Sequence, residues 1–425
     1  MRTLTLVFTI ALSAWAEQKT LTLKQAVDLA LQQNPDLLLS RLDEQKAGLE
    51  VTAVKEPLLP RVVVGSGLAY SSGMPMSIDG ASPSVVQAKA VRNIWNPQQG
   101  YQVAQARESA RAATLATAGM REEVALRVAT IFLDLEKAGK SLDSARRQVE
   151  HLRRAEAAVR LRVDEGRELP IEGKRAALAV ARASNRAGAA ESQRSDLSRS
   201  LAAALGLSPG DEVVPAAAER NIQAPEAPTP EAIEAVLKDD PEIRRLESDL
   251  AAKNFEVRGI RAARLPKVDL VAQYGLLAKF NNYEDYFSRF QRHNGQLGAS
   301  VQIPLFANSA DEARAAQAEL EARRIRTQIA QTRARIESGM KTGWNKLRDA
   351  ESARDLARLE LDVARDQVSI LLAQMEEGRA SMRQVEEARS QEQERWLQLS
   401  DAGYQLELAR LELLRRTNTL LAALK

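Results

Sequence analysis

The 425-residue chain carries 28% charged and 4% aromatic residues, and 60 basic against 57 acidic side chains leave a formal charge of +3. That is the balance of a helical bundle or coiled coil rather than of a compact enzyme, and charge spread so evenly leaves no electrostatic footprint for nucleic acid. With no cysteine, disulfides, thiol catalysis, cysteine-ligated metal and a lipidated N-terminal cysteine are excluded, and His151 and His293 are a poor supply for histidine chemistry.

Residues 1–16 read as a signal peptide. Arg2 is a short basic region, Leu4 to Ala14 an apolar run too short to span a bilayer, and Ala14-Trp15-Ala16 a small-x-small cleavage site. No later segment supplies a membrane-spanning helix, so the exported chain is expected to enter a membrane only as strands.

The mature chain opens on LTLKQAVDLALQQNPDLLL. Thr22 is a plausible N-cap; Ala26, Val27, Ala30 and Leu31 form an apolar stripe, and Asn34-Pro35 breaks the helix. A second helix runs from Asp36 to about Val54, where EPLLP stops it, and strands are predicted at about 61–71 and 84–95. From Gln98 to Leu169 there is no proline, and apolar residues recur at steps of three and four: Val124, Val128, Ile131, Leu135, Val149, Leu152, Val159, Val163. That spacing predicts one helix over about 97–165, roughly 100 Å long at 1.5 Å per residue. A turn at Gly166 and a returning helix at about 171–205 complete residues 17–207.

After a Pro- and Ala-rich linker, 208–230, the pattern repeats over 231–425. At an offset of 206, Ala26-Val27 falls on Ala232-Ile233, Asn34-Pro35-Asp36 on Asp240-Pro241-Glu242, and Leu59-Pro60-Arg61-Val62 on Leu265-Pro266-Lys267-Val268. Further on, at an offset of 212, Glu165-Gly166-Arg167 falls on Glu377-Gly378-Arg379. The second repeat is read as strands at about 267–280 and 295–306 and long helices at about 310–376 and 382–424. Its longest proline-free stretch carries Leu356, Leu359, Val363 and Ile370.

The strands alternate. Every even position from Val268 to Phe280 is apolar, and the partner strand sets Leu297, Ala299, Val301, Ile303 and Leu305 on one face. Val62, Val64, Leu68 and Tyr70 repeat the pattern more weakly, and Arg92 interrupts a face of Val86, Ala88, Ala90 and Ile94. Apolar-out, polar-in alternation suits a membrane barrel with Gln273 and Gln302 toward the lumen. A soluble sandwich with one buried face has the same period. Seven of the 17 aromatics lie between Tyr274 and Phe306, and Tyr274, Phe280 and Phe306 are placed as an interfacial girdle. The loop at 281–294 holds the others, with a packing role preferred over closure of the pore mouth. Four strands cannot close a barrel, so copies of the chain are expected to complete one, and the long helices likewise need lateral neighbours.

The residues LTLKQAVDLALQQNPDL, the degenerate second copy ending DDPEI, the junctions IWNP and IPLFANS, and the paired EGR turns resemble the TolC-like outer-membrane efflux protein family over essentially the whole mature chain. The fold this implies is mainly α with a transmembrane β part: a duplicated helix–strand–strand–long-helix-hairpin repeat forming a trimeric 12-strand β-barrel continued by a periplasmic α-helical barrel. The function it implies is the outer-membrane channel-tunnel of a tripartite efflux or type I secretion system, a passive conduit across periplasm and outer membrane. Its expected partners are two further copies, outer-membrane lipid, a periplasmic adaptor (membrane fusion) protein and an inner-membrane transporter, with no nucleic acid. The helix tips at Gly166, Arg167, Gly378 and Arg379 are the expected adaptor docking residues.

Family members often place acidic residues just past the second turn glycine, at the periplasmic aperture. Those positions here are Gln384 and Glu387, with Arg383 beside them; in the first half they are Glu172 and Arg175, and Pro170 is unlike the usual turn. Three inward copies of Glu387 would give weak cation preference, and Arg379 and Arg383 are near enough in sequence to pair with the carboxylates there. No phosphate loop, metal-spaced set or nucleophile motif is present, so no enzyme activity and no cofactor are expected. The competing reading is a soluble periplasmic coiled-coil adaptor or structural rod, which predicts one helical hairpin instead of two.

Overall fold

Prolines punctuate the chain. Among the described residues five helices begin on one, where its missing N–H has no intrahelical partner to lose and its fixed φ already suits a helix. The computed structural model of the protein describes residues 18–67, 84–208, 210–216, 227, 229–277, 291–304, 309–377 and 379–424. In order these form β1 (Gln18–Leu21), α1 (Leu23–Gln33), α2 (Pro35–Lys55), β2 (Arg61–Gly65), β3 (Ser84–Trp95), α3 (Pro97–Asp164) and α4 (Pro170–Ala204). Then come β4 (Glu212–Pro215), α5 (Pro230–Asp239), α6 (Pro241–Ala262), β5 (Lys267–Leu277), β6 (His293–Gln302), α7 (Ser309–Glu376), α8 (Met382–Arg416) and α9 (Leu420–Ala423). The expected signal peptide, Leu68 and Tyr70, and most of the loop at 281–294 lie outside the described residues.

The chain divides into two units. One comprises the described residues within Met1–Leu39, Ala118–Asp240 and Ala334–Lys425. Its core gathers Leu23, Val27 and Ala30 of α1, Val124, Val128 and Phe132 of α3, and Leu201 and Leu205 at the end of α4, with Val213, Leu411 and Leu420. Thr22 caps α1 as its residue type predicts: its hydroxyl accepts from the Gln25 N–H, and the Gln25 side chain accepts in return from the Thr22 N–H. Asn34, between α1 and α2, is buried; its Oδ1 accepts from Leu37 N–H at 3.1 Å and its Nδ2 donates to the Ala204 carbonyl at 2.7 Å. Its counterpart Asp240 lies 3.5 Å from Asn418 Nδ2.

Two features of this unit differ from the expectation. The 208–230 segment is not simply a connector, because β4 pairs in parallel with β1 from Gln18↔Glu212 to Leu21↔Pro215. Four-residue strands are too short to print an alternation. The last helix is also not continuous to 424. It stops at Arg416, and Asn418 takes a left-handed φ of 56° before α9 begins.

The other unit comprises Ser40–Thr117 and Pro241–Arg333. It holds the four-stranded antiparallel sheet, in the order β2-β3-β5-β6. The expected strand at 295–306 runs instead from His293 to Gln302, short of Pro304, which has no N–H to give a ladder. No described helix is long and apolar enough to cross a membrane.

The apolar residues of α7 point two ways. Leu347, Ala357, Leu361 and Val368 are buried, whereas Leu356, Leu359, Val363 and Ile370 are between 56% and 66% exposed. Among the described residues this second set stays uncovered, on helices that are expected to need lateral neighbours.

Candidate functional site

The register of the sheet decides which side chains share a face, since directly paired residues point the same way. One face collects Val62 and Val64 of β2, Ala88 and Ala90 of β3, Leu270, Ala272 and Tyr274 of β5, and Leu297 and Ala299 of β6. Four separately weak alternations thus fall into one apolar surface. A β-bulge between Asn93 and Trp95 sets Trp95, not Ile94, opposite Val268. Sequence spacing had assigned Ile94 to this face, and an inserted residue is invisible to a strict period of two. Arg92 stands on the same face, paired with Leu270.

The opposite face is mostly polar. Its rows read Gly65, Gln87, Gly275 and Asn294; then Val63, Lys89, Gln273 and Gln296; then Arg61, Val91, Val271 and Gly298; then Asn93, Asp269 and Ser300; then Lys267 and Gln302. Gln273 and Gln302 therefore lie on one face, with Tyr274 on the other. The Tyr274 hydroxyl is 2.7 Å from His293 Nδ1, a partner that spacing did not indicate. Phe280 and Phe306, the other two expected girdle residues, lie outside the described residues.

Each long hairpin turns on a tip. At the first, Gly166 has φ 72°, and the Gly166 N–H reaches Val163 O at 3.0 Å while the Arg167 N–H reaches Arg162 O at 2.8 Å. These are the two bonds that close a helix C-terminus around a left-handed residue, and glycine takes that conformation without a Cβ penalty. At the second tip the Arg379 N–H reaches Gln374 O at 2.8 Å, although Gly378 itself lies outside the described residues. The flanking charges of the EGR motif pair across each turn: Arg167 with Glu165 at 3.1 Å and Arg379 with Glu377 at 3.2 Å.

The expected aperture residues are differently disposed. Gln384 turns back on its own helix end, its Oε1 accepting from the Ser381 N–H at 2.8 Å and hydroxyl at 2.9 Å. Glu387 is exposed. The Arg383 side chain is outside the described residues, and the carboxylate that Arg379 meets is Glu377. Glu386, one residue before Glu387, lies 3.4 Å from His151 Nε2 of α3.

Sequence reading missed a polar brace between α3 and α8. The Tyr404 hydroxyl donates to Asp134 at 2.5 Å, Lys137 pairs with Asp401, and the Lys137 ammonium stands 4.5 Å from the Tyr404 ring centre. Burial, then the hydrogen bond to Asp134, holds the Tyr404 hydroxyl above the ordinary phenol range, so it stays a donor. Half-buried Glu122 of α3 is pushed up by burial, opposed by a hydrogen bond from the Leu421 backbone. Among the described residues no group of three or more metal-ligating side chains is placed to hold an ion.

Comparison with curated proteins finds no match. Among solved structures the fold is similar to the CmeC outer membrane channel of Campylobacter jejuni, at 14% identity over 96% of this chain and 91% of that one, with a TM-score of 0.79. The open-state MtrE outer membrane channel of Neisseria gonorrhoeae is similar at 15% identity over 94% and 89%, TM-score 0.74. The outer membrane protein VceC of Vibrio cholerae is similar at 14% over 93% and 95%, TM-score 0.73. At these identities the likeness is one of fold. The family model for outer membrane efflux proteins matches twice, over residues 26–207 and 232–419. These two matches cover both repeats, and on them the chain belongs to the outer membrane efflux protein family.

Proposed function

We propose that three copies of this protein close into a passive conduit through which an inner-membrane transporter, joined by a periplasmic adaptor, expels its substrate. Family membership makes the chain an outer-membrane efflux channel and not an enzyme. The observation that carries the assembly is the four-stranded sheet: apolar on one face, polar on the other, with β2 and β6 at its edges. An edge left in lipid strands unpaired N–H and C=O groups at several kcal/mol each, so the sheet needs neighbours. Three copies supply 3 × 4 = 12 strands, within the range of closed membrane barrels. The exposed stripe of α7 asks for lateral company in the same way.

In this reading the apolar face meets lipid, Tyr274, Phe280 and Phe306 serve as girdle residues, and Gln273 and Gln302 line the lumen. The tips at Gly166, Arg167, Gly378 and Arg379 dock the adaptor. The periplasmic aperture lies at Arg383, Gln384 and Glu387, with Gln384 acting chiefly to stiffen the helix end it caps. Fractionation of expressing cells tests the proposal. An outer-membrane oligomer that dissociates only on heating in detergent is expected; a soluble monomer in the periplasm overturns it.

A further inference from the structure

We infer that the barrel of this channel favours anionic solutes, because among the described residues its polar face carries Arg61, Lys89 and Lys267 against one carboxylate, Asp269. The inference rests on the reading above, in which the apolar face meets lipid and the polar face meets the lumen. The register fixes the rows. Lys89 pairs with Val63 on one side and with Gln273 on the other, and Gln273 pairs with Gln296, so the row through Lys89 contains no carboxylate. Arg61 pairs with Val91, two residues along β3 from Lys89. That diagonal separates the two Cα atoms by roughly 7–8 Å, close enough for the charges to act together.

Asp269 offsets Lys267, two residues away on the same face of β5, but lies far from Lys89. It lies four residues along β5 from Gln273, the partner of Lys89. At about 3.3 Å per residue that is roughly 13 Å, beyond a Debye length of about 8 Å at physiological salt. Among the described residues no ion pair joins Arg61, Lys89 or Lys267 to an acid. Three copies place a ring of Arg61–Lys89 pairs around a low-dielectric wall, the arrangement that selects anions in other pores.

At the tips Glu165, Glu172 and Glu377 each face an arginine, at 3.1 Å, 2.6 Å and 3.2 Å, whereas exposed Glu387 is the carboxylate whose field the barrel cations would oppose.

The test is the reversal potential of single channels in planar bilayers under a KCl gradient, with full-length protein. Wild-type channels are expected to reverse on the chloride side of zero. Lys89→Gln should move the potential toward zero, and Arg61→Glu with Lys89→Glu should carry it to the potassium side. Because the chain has no cysteine, Lys89→Cys carries a single thiol. A negatively charged thiol reagent added to the open channel should change its conductance, whereas Ala88→Cys, on the apolar face, should be silent. Wild-type channels that prefer potassium, or a selectivity that follows Glu387→Gln and ignores Lys89→Gln, overturn the anion inference alone. A silent Lys89→Cys beside a reactive Ala88→Cys overturns the face assignment beneath it. Absence of any channel overturns both.

Discussion

Gly206 and Asn418 occupy equivalent places in the two repeats, at the offset of 212 that aligns the EGR turns, and both are left-handed, with φ 71° and 56°. Each ends a return helix through the same pair of bonds: Gly206 N–H to Ala203 O at 3.0 Å with Leu207 N–H to Ala202 O at 2.9 Å, and Asn418 N–H to Arg415 O at 3.1 Å with Thr419 N–H to Leu414 O at 2.9 Å. The sites differ in room. A Cβ on Gly206 would collide with the backbone carbonyl of Gln33, which cannot swing aside as a side chain can. Gly206→Ala therefore meets that collision in addition to the left-handed penalty of about 1–2 kcal/mol, and thermal unfolding should show a loss of at least about 2 kcal/mol. Asn418→Gly should be close to neutral, since asparagine already tolerates the conformation and glycine prefers it. A loss at Gly206→Ala no larger than the left-handed penalty alone would show that the carbonyl contact is unimportant. Such residues were only half legible in sequence. Asn34-Pro35 and Asp240-Pro241 announce a helix break, but nothing local announces that Asn34 also bonds Ala204, across 170 residues.

For single elements, the strands were the most legible part of the membrane unit, because a period of two survives even where individual residues are weakly apolar. Leu270 and Gln273 sit on opposite faces of β5. Arginine on the lipid face near mid-bilayer costs on the order of 2–4 kcal/mol, and far less in a lumen. Leu270 lies opposite Arg92, an arginine already on that face, so the sharper site is Ala272 at the middle of β5, between Ala90 and Leu297. Ala272→Arg should reduce the heat-modifiable oligomer recovered from outer membranes, while Gln273→Arg should leave it unchanged; equal recovery of the two variants would reverse or void the face assignment. What alternation cannot carry is an irregularity. The bulge before Trp95 shifts one aromatic onto the apolar face without altering composition, and β1 and β4 are too short to alternate at all. Those two strands are set by the bonds they make to each other, which only the folded chain contains.

At the scale of the whole molecule, duplication was readable because helix breakers, strands and turns kept their order over both halves. The need for copies was readable from four strands with two edges. That the long helices need lateral neighbours was readable too, but not that Leu356, Leu359, Val363 and Ile370 are the residues left to them, because periodicity reports that a helix has an apolar face and never which molecule covers it. The tips carry the prediction that belongs here. Gly166→Val or Gly378→Val forces a β-branched side chain into a turn that in the first repeat is left-handed. Either variant should weaken in vivo cross-linking to the adaptor while trimers still reach the outer membrane; loss of the trimers would mark the glycines as folding residues only. A last consequence follows from the helical core, where Leu23 and Val27 of α1 pack in one cluster with Leu411, Leu414 and Leu420. A secreted polypeptide emerges with its N-terminus first, so α1 reaches the periplasm long before the residues that finish its burial. Contacts of such sequence separation form slowly. Throughout that interval the apolar stripe of α1 is open to holdase chaperones and to proteases, so the yield of channel depends on how fast translocation delivers the far end of the chain.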